Sequence, residues 1–261
     1  MRIIIILSVF LVPLGSASQL ASVHKPVFLI GIKADAQAAG IANQNNYGQN
    51  EMDYGVNIGI GGGVVVTYLL NPRNAFILET SYQSSGQKYD DQFKNRHFMK
   101  DVRYSLISIP LAFRHQLTDA PGGYSGVGTE SKPLWYILGG VQVDRILSPE
   151  IRWQLDGNET DFLSFVLEGG NPNQAEIENL GEPASDKEFY TQWDVMGIAA
   201  IGFQLSLTPT MHFTTELRGG IGITDMNAES WRLKNNDGIY AASHNAFFGL
   251  HAGIHMQLTH L

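Results

Sequence analysis

Between Tyr54 and Leu70 the chain reads YGVNIGIGGGVVVTYLL. Taken by twos, one set is Tyr54, Val56, Ile58, Ile60, Gly62, Val64, Val66 and Tyr68. The other is Gly55, Asn57, Gly59, Gly61, Gly63, Val65 and Thr67. Successive side chains of a strand point to opposite faces, so this pattern predicts a strand with one bulky apolar face and one small face. Asn71-Pro72-Arg73-Asn74 follows as a tight turn with proline at its second position. From Ala75 to Gln83 the alternation resumes, with Phe76, Leu78 and Tyr82 opposed to Glu79, Ser81 and Gln83. The two segments make a hairpin.

Six further strands follow by the same rule: Val27–Asp35, Arg103–His115, Leu134–Asp144, Trp193–Leu205, Met211–Ile223 and Ala246–Leu258. No long stretch has helical periodicity. The connections alternate in length. Residues 71–74 and 207–210 are minimal turns, and 118–133 is rich in glycine and turn residues. By contrast 36–53, 84–102, 145–192 and 224–245 are long. Short turns at one end and long loops at the other mark an eight-stranded antiparallel up-and-down barrel of the outer-membrane type.

Alternation alone does not say which face looks out. A soluble lipocalin-like barrel, periplasmic or secreted, would enclose the apolar face around a small apolar ligand. Here that face carries bulky residues on all eight strands, more than so narrow a lumen holds. The other face is Gly, Ser, Thr, Asn and Gln with charges of both signs: Lys33, Asp35, Glu79, Arg114, Asp144, Asp194, Glu216 and Arg218. A solvated exterior would hold more lysine and glutamate and less glycine. The polar face is therefore expected inside as a structural network, with Glu79, Arg114, Glu216 and Arg218 in paired charges, since an isolated buried charge is too costly. An open pore is not expected. Trp135, Trp193, Tyr54 and Tyr68 lie near strand ends, where aromatic girdles belong.

Composition agrees. The 261 residues include no cysteine, 25 acidic and 17 basic side chains, for a formal charge of -8. That balance argues against nucleic acid. The missing thiols exclude disulfides, thiolate metal sites and a cysteine nucleophile. No internal apolar run reaches the roughly 18 to 20 residues of a membrane helix. At the start, Met1-Arg2, the apolar run Ile3–Leu14 and the small residues Gly15 to Ser18 read as a signal peptide over 1–18, with the barrel domain at 19–261.

Several short motifs add a resemblance. Tyr104-Ser105-Leu106-Ile107-Ser108-Ile109-Pro110-Leu111, Tyr136-Ile137-Leu138-Gly139-Gly140, Asp194-Val195-Met196-Gly197 with Ile201-Gly202-Phe203, and Gly222-Ile223-Thr224-Asp225 resemble strands four to seven of the PorT-like outer-membrane β-barrel family of Bacteroidota. Ser108 stands where that family often has glutamate. The resemblance implies an integral protein of a Gram-negative outer membrane, in contact with its lipid and lipopolysaccharide. Its founding members serve type IX protein secretion and gliding. It thus implies a structural or accessory role with envelope or secretion-system proteins.

Candidate sites are few. His251 and His255 share a face, but four residues of strand separate them by about 13 Å, too far for one metal ion; both are expected in the lumen. His212 with Glu216 and Asp194 invites a catalytic interpretation, yet no G-x-S-x-G or comparable signature supplies a nucleophile. The glycines at 59, 61, 62 and 63 precede no helix and are no phosphate loop. No catalytic residue, cofactor or metal ligand is expected. The most informative exposed piece is 149–190, where ten acidic residues face only Arg152 and Lys187. Such a segment is either a solvated loop whose acid serves solubility, or a folded loop that docks another protein or binds divalent cations near lipopolysaccharide; in the docking case Glu150, Asp156, Phe162, Phe165 and Glu168 are the expected partner surface.

Overall fold

The structure, a computed structural model, describes residues 27–42, 53–93, 95–118, 132–168, 173–234 and 238–258. The signal peptide expected at 1–18, most of the 118–133 connection and the side chain of Tyr54 lie outside the described residues. Eleven strands are described: β1 (Val27–Ala42), β2 (Asp53–Gly55), β3 (Asn57–Leu69), β4 (Asn74–Phe93), β5 (Arg96–Gln116), β6 (Leu134–Ile146), β7 (Glu150–Leu155), β8 (Asn158–Thr160), β9 (Trp193–Ser206), β10 (Met211–Gly222) and β11 (His244–Leu258). Eight of them form a closed antiparallel ring, β1-β3-β4-β5-β6-β9-β10-β11. β11 returns to β1 in continuous register from Phe28 opposite Leu258 to Ala42 opposite His244. Closure removes every unpaired wall edge, which a strand crossing hydrocarbon requires.

The faces fall as alternation predicts. Ile32, Ile58 and Ile60 are 66%, 67% and 67% exposed, whereas Thr67, Glu79 and Arg218 on the other face are buried. On β9 the outward positions from Trp193 to Phe203 span about 33 Å of strand, or about 25 Å of height at a tilt of roughly 40°, the thickness of an outer-membrane apolar band. Rings collect at the end bearing the short turns. Phe28 packs on Tyr68 at 5.0 Å, Phe76 on Phe113 at 5.6 Å and Trp135 on Phe203 at 5.4 Å. Trp193 and Tyr82 are exposed at the opposite border.

Glycine on the inner face lets the walls close up. A Cβ on Gly63 would stand 2.1 Å from the backbone carbonyl oxygen of Thr80 on β4. Inside, Ala39, Val65, Ile77, Ala112, Leu138, Met196, Ile198 and Phe247 form an apolar plug.

Two of the long loops expected from sequence prove to be structure. Residues 84–102 continue β4 and β5 as a hairpin above the belt, paired from Ser84 opposite Ser105 to Phe93 opposite Arg96, with Asn95 at positive φ in the turn. Above the belt the outer face need not be apolar, so Ser84, Lys88 and Asp90 hide the strand from a hydrophobicity pattern. β1 likewise runs beyond Asp35 to Ala42.

Residues 145–192 fold into a cap. β7 pairs with the β5 extension, Phe98 opposite Leu155 through Arg103 opposite Glu150, and β8 returns on β7 through Asp156-Gly157, both at positive φ. Two short helices follow, α1 (Phe162–Glu168) and α2 (Gln174–Leu180), then a single 3-10 turn over Asp186–Phe189. Their apolar residues join Phe98, Val102 and Leu106 from β5, and Met226, Trp231 and Leu233 from the last long connection, in one core.

Candidate functional site

The inward charges gather around Arg218. Its Nη1 and Nη2 donate to the two carboxylate oxygens of Glu79 at 2.9 and 2.8 Å, a bidentate pair. The same guanidinium pairs with Glu216, its neighbour two residues back on β10. Lys33 of β1 pairs with Glu79 from the other side and has His251 Nδ1 at 3.5 Å. Tyr136 donates its hydroxyl to Glu216 at 3.1 Å. Arg114 stacks 5.2 Å above that ring and donates to Gln204 at 3.1 Å. Glu79 on β4 and Arg218 on β10 lie on nearly opposite sides of the ring, so their pair ties distant walls across the lumen.

The remaining network residues occupy different heights. Asp35 is buried beside this cluster, and neither of its carboxylate oxygens has a hydrogen-bond partner among the described residues. His255 meets Thr214 Oγ1 at 2.8 Å and His212 meets Ser206 Oγ at 3.2 Å, both toward the short-turn end. Asp144 and Asp194 sit directly opposite one another on β6 and β9 near the capped mouth. Their partners are neutral: Gln142 Nε2 donates to both oxygens of Asp144 at 3.0 Å, and Thr224 Oγ1 donates to Asp194 at 2.5 Å. Charge pairing is thus seen for Glu79, Glu216 and Arg218, and hydrogen bonding serves these two aspartates instead.

The grouping of His212, Glu216 and Asp194 dissolves. Asp194 begins β9 and Ser206, beside His212, ends it, about 40 Å of strand away. His251 and His255 engage different partners, and among the described residues no cluster of three or more His, Asp or Glu could hold a metal ion.

The proposed partner surface needs correction. Phe162 and Phe165, expected to be presented outward, are 2% and 0% exposed. Phe162 packs on Phe189 at 5.0 Å and on Trp231 at 5.2 Å, and Phe165 packs on Trp153 at 4.9 Å. In a short chain segment beyond the barrel wall, burying these rings together is what holds the cap folded. Glu150, Asp156 and Glu168 are exposed. Arg96 at the hairpin tip donates to Asp156 at 2.8 Å and pairs with Glu168, while the backbone N–H of His97 donates to Asp156 at 2.9 Å. That backbone bond, reinforced by Arg96, holds the Asp156 carboxyl below its ordinary range.

The cap also holds a residue from the stretch 84–102, which the sequence marks as a loop. Lys100 points inward from the β5 extension, 2% exposed, with its ammonium 4.8 Å from the Trp153 ring and 5.5 Å from the Tyr89 ring. Burial pushes its pKa down to about 7, against the opposing pull of Asp186. Only the inward set Phe98, Lys100, Val102 and Tyr104, an alternation with a charge in it, could have signalled this from sequence.

Compared with models of known protein families the chain matches none, and no curated protein matches it either. The PorT-like motifs thus have no support from a family-wide match. Solved structures with a similar arrangement include Neisserial surface protein A, at 13% identity and a TM-score of 0.43 over 88% of this chain and 96% of that one. The outer membrane protein OprG of Pseudomonas aeruginosa aligns at 10% identity and a TM-score of 0.38, over 89% and 95%. Ail, the attachment invasion locus protein of Yersinia pestis, aligns at 8% and 0.34, over 87% and 98%. At such values the fold rests on the strand ring itself.

Proposed function

We propose that this protein is a non-enzymatic integral barrel of a Gram-negative outer membrane that carries a rigid acidic cap as an accessory component of an envelope machine. The observation that carries this is the division of the molecule into a sealed wall and a folded platform. The lumen is crossed by the Glu79–Arg218 pair and filled below the cap by the Ala39–Phe247 apolar plug. The lumen is thus occupied by paired charges and packed apolar side chains together, with Val65 directly opposite Glu79, which argues against the alternative of an apolar ligand pocket. The cap has its own aromatic core and an acidic exterior, so its outer surface is where another protein would dock. Type IX secretion, which the PorT-like motifs imply, is the machine we favour.

The test has two parts. Purified protein in planar bilayers should give no steady conductance, and unheated protein should migrate faster than boiled protein on electrophoresis. In its host, charge reversal at Glu150 and Glu178, both exposed on the cap, should reduce export of type IX cargo while leaving the protein folded in the outer membrane. Export unchanged by the reversals and by deletion of the gene would exclude the secretion role.

A further inference from the structure

Where the end of β6 meets the cap there is a cavity of about 140 Å³. Its lining includes Arg145, Leu147, Lys187, Tyr190 and Gln192, and no carboxylate. Arg145 follows Val143 on the outward face of β6 and is the first charge above the belt on that strand. Its guanidinium lies 5.6 Å from the ring of Trp193, which is 53% exposed at the belt's border. Lys187 comes from the 3-10 turn of the cap. Among the described residues neither cation enters an ion pair, although the cap is rich in acid.

In a segment with ten acids and two bases, the placement of Lys187 is informative. Asp156 and Glu168 are engaged by Arg96, and Asp186 accepts the Ile151 N–H at 2.8 Å. Lys187 instead lines, together with Arg145, a cavity whose lining holds no carboxylate. An anion seated among such cations is attracted by both. The cavity is smaller than the roughly 300 Å³ or more of a drug-sized ligand site, and suits a single anionic group. A guanidinium fork beside an ammonium is the pairing that binds phosphate. The height is decisive: the short turns mark the periplasmic end, so the cavity opens at the headgroup level of the outer leaflet.

We propose that this cavity binds the phosphate of an outer-leaflet lipid headgroup, with the acyl chains lying along Val143, Val195 and Trp193. The proposal rests on the membrane-spanning reading above. Basic pockets at the ends of membrane-spanning elements hold phosphorylated headgroups by the same chemistry.

The test uses delipidated full-length protein in neutral detergent, titrated with diphosphoryl lipid A, with phosphatidylcholine and with inorganic phosphate, and read by native mass spectrometry. Wild type should retain lipid A in preference to phosphatidylcholine. Arg145→Gln and Lys187→Gln should each weaken retention about tenfold, the loss of one charge-assisted hydrogen bond, while the unheated band of each variant stays in place. Retention unchanged in the double variant would overturn the site. Displacement of lipid A by millimolar inorganic phosphate would overturn the lipid assignment in favour of a soluble anion. A wild-type protein without a heat-shifted band would instead overturn the membrane reading on which the site depends.

Discussion

Replacing Arg218 with leucine tests the inner network most directly. The guanidinium is 1% exposed and serves Glu79 through two hydrogen bonds of 2.9 and 2.8 Å, and Glu216 through an ion pair. Once it is gone, Glu79 keeps Lys33 and Glu216 keeps the Tyr136 hydroxyl at 3.1 Å, each with one strong partner fewer. The change removes a cation from between two buried carboxylates, Glu79 and Glu216. Breaking a buried pair from one side costs about 3–5 kcal/mol, or two to nearly four orders of magnitude in the folding equilibrium. Urea unfolding of the reconstituted barrel, followed by tryptophan fluorescence and by the unheated electrophoretic band, would measure it. Adding Glu216→Gln to the variant removes one of those charges and should recover about 1–3 kcal/mol. A single variant that loses less than about 1 kcal/mol would refute the reasoning, because that is the behaviour of a solvated pair on an outer surface.

Lys100 makes the cap's stability pH-dependent. Its folded pKa is about 7 against an ordinary 10.5, so between those values the unfolded cap binds a proton that the folded one does not. Stability should rise with pH across that window by up to about 1.4 kcal/mol per unit, level off below pH 7, and lose this slope in Lys100→Met; equal slopes in both proteins would discard the assignment. Phe165→Ala should cost the cap about 3–5 kcal/mol and open it to protease between Asp156 and Tyr190, while the barrel keeps its unheated mobility. Loss of the barrel band as well would mean that cap and wall fold as one unit. Gly63→Ala should destabilise the wall by about 1–3 kcal/mol, since its Cβ meets the Thr80 carbonyl oxygen at 2.1 Å. Gly139→Ala, whose Cβ meets nothing within 4 Å, should be neutral in the same unfolding assay, and equal effects would count against close wall packing.

The wall was legible in the chain because alternation is a local, one-dimensional signal. Between Tyr54 and Leu70 each residue's side of the strand follows from its parity, and a lipid-facing surface demands the same kind of residue at every outward position. The inner network was legible as a set, since charges on the small face had to lie inside. Its partners were not. Glu79 and Arg218 are 139 residues apart, and only closure of the ring brings β4 and β10 within reach across the lumen.

Above the belt the local signal fails. There the outer face meets water, so the hairpin over 84–102 alternates without a hydrophobic pattern to reveal it. The cluster Phe162, Leu163, Phe165, Val166 and Leu167 was visible in the sequence as an apolar run in an acidic segment. Whether such a run packs inward or is offered to a partner depends on residues brought from elsewhere: Trp153 of β7, and Trp231 some seventy positions later. Sequence thus determined the barrel and the direction of its side chains, because both follow from the geometry of a single strand whose outward positions are apolar. Tertiary structure alone decided which charges meet, what the aromatic run packs against and where Arg145 and Lys187 converge, because each of those contacts is made between distant segments of the chain.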